Sequence, residues 1–298
     1  MTIHTSDSRV AWPGNTVLVG SAMALALVIY GGVRFPASIT AGGASSLLIA
    51  IAGLAAYGTA ALWSRRSSSA DAQSALRIGA AIGVAIAGVA IVNHGVELWT
   101  TLPASIGAVL GAGMWGLMFL GFGIACSVTL ARQRPLVAGL LSSAWCAMVM
   151  AILLIVFALS VGFAFMPHME SVLSTPYAAS GMADARAFVA GHLVSSASSH
   201  LFIAPAIAVF VGLLSAVAFH VLVRLERRIA SLVACAAVLL LVGGGASLRH
   251  ASSLERSQRP PFIDFGLASL AIALVSAHPL VVALRHSKRS SEQCAPTA

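Results

Sequence analysis

Three residues near the end of one apolar stretch have the types and spacing to do chemistry: Asn93, His94 and Glu97. Three positions apart, His94 and Glu97 share a face if the stretch is helical. A carboxylate there can orient the imidazole, fix its tautomer, or join it in holding a metal. Histidine with carboxylate suits zinc, copper, iron or nickel alike. Further histidines fall on the same side of the chain's apolar segments: His168 beside Glu170, then His192, His200 and His250. His192 and His200 are eight positions apart, about 12 Å along a helix, so an unbroken helix cannot offer both to one ion. If the stretches carrying them are neighbours, His200 meets His94 and Glu97 in one cavity near the membrane interface. No metal is specified by this pattern, with His94, Glu97, His200 and His192 only weak ligand candidates. Asn93, His94, Glu97, His200 and His278 are the candidates for lining a substrate cavity.

Other chemistries find less support. A haem needs axial ligands that face each other from different helices. His200 and His220 are 20 positions apart on one stretch, about 30 Å, and the depth of His278 matches neither. Ser199 and His200 are adjacent and point to different helical faces, and no G-x-S-x-G elbow is present. There is no phosphate-binding loop, no dinucleotide fingerprint, and no lysine in an apolar stretch for a Schiff base. Cys126, Cys146 and Cys235 lie in apolar stretches and Cys294 in the polar tail, with no CxxC spacing. Neither a disulfide framework nor a zinc site is indicated. No motif decides whether the chain is an enzyme, and none names a cofactor.

The elements that must position these residues are easier to read. Of 298 residues, 59% are hydrophobic and 9% charged, against roughly 25% charged in a soluble domain. About 20 apolar residues cross a bilayer as a helix. Eight stretches qualify: 16–33, 41–63, 78–99, 106–130, 136–163, 197–222, 229–248 and 265–284. Unpaired backbone groups cannot face lipid, and the runs are continuously apolar rather than alternating, so helices are expected and a β-barrel is not. The fold class is all-α, a polytopic helical bundle in a single membrane domain, 1–298, with the lipid bilayer as its first partner. The segment Thr16–Val33 reads as an uncleaved first span rather than a signal peptide. The residues 287–298 read as a disordered cytosolic tail.

Twelve of the 17 basic residues fall on one side if the N-terminus is inside, and five on the other: Arg34, Arg186, Arg249, Arg256 and Arg259. The bias predicts both termini in the cytoplasm, in a cell inner (plasma) membrane. It also explains the net charge of +8 without nucleic acid, because the basic residues come in twos and threes beside spans. The fifth and sixth spans look overlong. Leu136 to Met166 would be about 45 Å as one helix, and Ala183 to Leu222 is a second long stretch. Both exceed a hydrocarbon core of about 30 Å, so this hairpin is expected to stand beyond the bilayer, with its tip at Pro167, Pro176 and Gly181.

Ala44-Ser45-Ser46 and the residues after it echo Ala197-Ser198-Ser199 with one gap at His200. Spans 1–4 and 5–8 would then be parallel copies, a 4+4 repeat of the kind found in transporters. Pro205, Pro279 and Gly243-Gly244-Gly245 break their spans and hint at a central cavity. Gly79–Gly83 and Gly107–Gly111 have the spacing that lets helices approach closely. The leading functional expectation is a bundle that binds or transports a small solute. One alternative is a membrane-embedded metal- or haem-dependent enzyme or redox-assembly factor using the His/Glu cluster. Another is a structural subunit of a membrane complex, and an oligomer is compatible with any of these.

Overall fold

The computed structural model describes residues 12–67, 69–100 and 103–224. The seventh and eighth expected spans, 229–248 and 265–284, lie outside the described residues. So do His250, His278, Gly243-Gly244-Gly245, the tail 287–298 and the last two spans of the expected repeat.

The described residues are helical: α1 Trp12–Arg34, α2 Ala44–Arg66, α3 Ala70–Trp99, α4 Ala104–Ala131, α5 Leu136–Ala164, α6 Met166–Val172, α7 Ser174–Ser180 and α8 Ala185–Arg224. Six of them are long and apolar enough to cross a membrane: α1, α2, α3, α4 from Leu110, α5 and α8. They fall on the first six expected spans. The sixth differs most, because its helix begins at Ala185, well before position 197. Its 40 residues make it about 60 Å long.

Close approaches fix how the helices run. Gly14 at the start of α1 meets Ser64 at the end of α2, and Gly31 at the end of α1 meets Phe163 at the end of α5. Gly79 and Gly83 of α3 lie on Ser142 and Cys146 of α5, in parallel. Gly139 of α5 meets Cys126 and Leu130 of α4, while Gly162 and Ser143 of α5 meet Leu193 and Gly212 of α8, both antiparallel. Successive spans therefore alternate in direction. One end of the bundle collects Arg65, Arg66, Arg77, Arg132, Arg134 and Arg224, six of the eight arginines among the described residues; only Arg34 and Arg186 lie at the other. Half-exposed Trp12 and Trp63 mark the arginine-rich end and Trp99 the opposite, histidine-bearing end. Tryptophan favours the headgroup level for its mixed polarity.

The centre of the bundle is α5. It packs on α1, α3, α4 and α8, whereas α2 rests on α1 and α8. Its position follows from composition. No charged residue occurs between Leu136 and Ala164, and small residues such as Ala138, Gly139, Ser142, Ser143 and Ala147 let neighbours close in on several faces. A methyl group at Gly83 would lie 2.5 Å from the Cys146 carbonyl, so the α3–α5 contact depends on the bare backbone there. Gly107 and Gly111 share the same spacing, yet a methyl at either would touch nothing within 4 Å among the described residues.

The fifth span does not continue to Met166 as one helix. It ends at Ala164, and α6 begins at Met166 with Pro167 in its first turn. Pro167 has no N–H for the Phe163 carbonyl and its ring crowds that carbonyl, so the chain must restart rather than continue. The α1–α2 connection contains a π-helical turn, Ile39–Gly43. A side chain at Gly43 would collide with the Ser38 carbonyl, which explains the glycine. The two expected repeat units also differ locally. Ala44 opens α2, whereas Ala197 lies well inside α8; a methyl at Gly58 would touch nothing within 4 Å among the described residues, while Gly212 is packed against Ser143.

At the arginine-rich end, two side chains tie the turns. Gln73 donates from Nε2 to the Ser64 and Ser67 carbonyls at 2.9 and 2.8 Å, capping the end of α2. Arg134 pairs with Asp71, joining the α4–α5 loop to the first turn of α3.

Candidate functional site

The histidine-bearing end of α3 assembles part of the expected cluster. Asn93 Nδ2 donates to Glu97 Oε1 at 2.9 Å, and His94 Nδ1 lies 3.3 Å from Glu97 Oε2. The three sit one helical turn apart, so local geometry alone brings them together. The His94 and Glu97 side chains are 50% and 33% exposed, an open polar rim rather than an enclosed pocket.

Below this rim, the helix end is bound to α6. His168 donates from Nε2 to the Leu98 carbonyl at 2.7 Å. Because a carbonyl only accepts, that nitrogen carries the proton. The imidazole also stacks on Trp99, with centroids 4.5 Å apart, and Trp99 meets Phe165 edge-on. Glu170 of α6 accepts from Arg186 Nε of α8 at 3.0 Å. His168 and Glu170 therefore hold elements together.

The α8 candidates face separate partners. His200 Nδ1 donates to the Ser196 carbonyl of its own helix at 2.7 Å, and His220 Nδ1 to that of Ala216 at 2.8 Å. His192 stacks on Phe188. The expected meeting of His200 with His94 required the third and sixth spans to be neighbours, but α3 and α8 pack mainly on α5 and α4 rather than on each other. Among the described residues, no group of three histidine, cysteine, aspartate or glutamate side chains could hold a metal ion.

A second polar set lies inside the bundle, towards the arginine-rich end. Ser143 of α5 has its hydroxyl 2.9 Å from the Phe122 carbonyl of α4 and 2.8 Å from the Ala208 carbonyl of α8, so one buried side chain joins three helices. Ser142 and Trp145 of α5, Ser127 of α4 and Ser215 of α8 are also buried. Their hydroxyls and the indole N–H have no hydrogen-bond partner among the described residues. Ser127 lies about 7.5 Å along α4 from Phe122, and Ser215 about 4.5 Å along α8 from Gly212, which touches Ser143. The set thus occupies a layer about two helical turns deep. Sequence reasoning missed it, since isolated serines in apolar spans carry no spacing signal.

Pro205 does not break its span, which runs as one helix from Ala185 to Arg224, but it frees a carbonyl that the structure satisfies from another helix. The carbonyl four residues earlier is that of Leu201, and Tyr57 of α2 donates its hydroxyl to it at 3.0 Å. Gly53, one turn before Tyr57, lets α2 approach Leu201 and Phe202.

No family model, no curated protein and no solved structure matches this chain. The chain is a membrane-spanning helical bundle by its own composition and fold, and its function must be argued from the arrangement above.

Proposed function

We propose that the protein binds a small polar solute and moves it across a cell inner (plasma) membrane, with the arginine-rich end on the cytosolic side. The observation that carries this reading is a set of buried polar side chains at similar depth: Ser127, Ser142, Trp145 and Ser215, without hydrogen-bond partners among the described residues, and Ser143, which bridges three helices. A buried hydroxyl or indole N–H without a partner costs roughly 1–3 kcal/mol. Backbone polar groups in spanning helices satisfy themselves, so a chain has no structural need for such side chains. Ala at the serine positions would fold with less cost. Hydroxyls that both donate and accept suit a neutral or zwitterionic polar solute, or the water that accompanies one. The open rim at Asn93, His94 and Glu97 supplies a polar mouth at the opposite end.

Screening the purified protein against a panel of sugars, amino acids, organic acids and monovalent ions by thermal stabilisation tests the reading. A binder should raise the melting temperature, and its uptake into proteoliposomes should fall at least several-fold in Ser142→Ala and Ser215→Ala. If the serines only burden the fold, both variants should melt higher, and no member of the panel should stabilise the protein or cross the vesicle membrane. That outcome ends the proposal.

A further inference from the structure

Among the described residues, the buried apolar side chains form two clusters, and α8 passes from one to the other at its proline. The first unites α1, α2, α5, α6 and the Leu76–Ala80 turn of α3 with Val189, Leu193, Val194, Ala197 and Leu201 of α8. The second unites α3, α4 and α5 with Ala208 and Val211 of α8, and Ala204 and Ile207 pack against it. Pro205 stands at the change. The last α8 residue of the first cluster is Leu201, whose carbonyl has lost its intrahelical donor to that proline. The central helix serves both sides, presenting Val149 and Ile152 to the first cluster and Cys146, Ala147 and Met150 to the second.

Hydroxyls from different helices grip α8 on either side of this point. Tyr57 of α2 holds Leu201 at 3.0 Å, and Ser143 of α5 holds Ala208 at 2.8 Å. Between them the helix lacks a backbone hydrogen bond and carries the ring that most readily bends a helix. A continuous helix crossing from one packed cluster to another would couple them rigidly. A proline at the crossing, with its freed carbonyl tied to a side chain on only one side, allows them to move separately.

We propose that Pro205 is a hinge in α8 and that the Tyr57–Leu201 hydrogen bond is its latch. With the bond made, the first half of α8 is fixed to α2. With it broken, that half swings relative to α4 about α5. Such a swing would open and close access to the layer around Ser143, and in that role it rests on the solute-moving reading. The bend itself does not, so the two can be tested apart.

Spin labels at Ser195→Cys and Val217→Cys, on exposed positions either side of Pro205, report the bend by pulsed electron resonance in liposomes without added solute. The background has Cys126, Cys146, Cys235 and Cys294 replaced by alanine. A straight helix would separate the two backbone positions by about 33 Å. Tyr57→Phe keeps the ring and removes the latch, and should shift the balance between distance populations roughly three- to twenty-fold, as one membrane hydrogen bond can. Pro205→Ala should restore a donor to Leu201 and leave a single narrow distribution near the straight-helix value. A distribution unchanged by Tyr57→Phe overturns the proposal, whatever Pro205→Ala does. Distances that respond to both variants, in a protein that moves no member of the solute panel, leave the hinge standing and remove the transport reading.

Discussion

Individual polar residues in this chain divide by whether they are exposed at a helix end or buried between helices, and the two kinds should respond differently to substitution. Glu97 accepts from Asn93 and contacts His94, but the group is open to its surroundings. Exposed pairs of this kind contribute little, about 0–1 kcal/mol. Glu97→Gln should therefore leave the melting temperature within a degree or two, while lowering solute uptake if the rim serves as a mouth. Ser143 is different, because its hydroxyl lies between carbonyls of two other helices and is fully buried. Ser143→Ala should destabilise by about 0.5–2 kcal/mol, measured by denaturation in mild detergent. The rim was legible in the sequence because its members are one helical turn apart, and helical periodicity alone brings them together. Ser143 with Ala208, and Tyr57 with Leu201, were not legible, since 65 and 144 positions separate the partners. Sequence reasoning could find the carbonyl that Pro205 frees, but not the phenol that answers it.

The long helices were readable because hydrocarbon leaves the backbone few alternatives, so length and apolar composition nearly decide the element. Where they end depends on local chemistry. Pro167 explains the stop at Ala164, and Gln73 and Ser69 close the α2–α3 turn. Which glycines matter was not readable, because Gly79–Gly83 and Gly107–Gly111 show the same spacing and only the first pair meets a described helix. A comparison within α3 tests the packing. Gly83 lies on the Cys146 carbonyl, whereas a methyl at Gly88 would touch nothing within 4 Å among the described residues. Gly83→Ala should push α3 off α5 and cost about 1–3 kcal/mol. Gly88→Ala should be neutral or stabilise by up to about 1 kcal/mol, since it only removes glycine's backbone freedom. Equal melting temperatures for the two variants would mean that α3 and α5 do not meet through this glycine face.

At the scale of the whole molecule, the alternating helices separate charge and aromatic side chains into two bands. Arginines gather where α2 ends, α4 turns into α5, and α8 ends; Trp12 and Trp63 accompany them, while Trp99 sits at the other limit. Trp12 and Tyr30 of α1 are 18 positions apart, about 27 Å, close to the thickness of a hydrocarbon core. Retention of arginine-bearing loops in the cytosol then predicts the orientation. It places the Asn93–Glu97 rim, α6 and α7 on the outer side. The length of α8 adds a second expectation: about 60 Å of helix can tilt or bend at Pro205 and still exceed the core, which predicts its first turns above the membrane with α6 and α7. In the cysteine-free background, Ser171→Cys on α6 and Ser180→Cys at the end of α7 should react with a membrane-impermeant maleimide added to intact cells or spheroplasts. Gln133→Cys, in the exposed α4–α5 turn, should react only after permeabilisation. Labelling of position 133 from outside would invert the molecule and place the arginine-rich end outward. Protection of 171 and 180 from outside, with 133 also protected, would instead mean that the hairpin after α5 lies within the headgroups rather than beyond them.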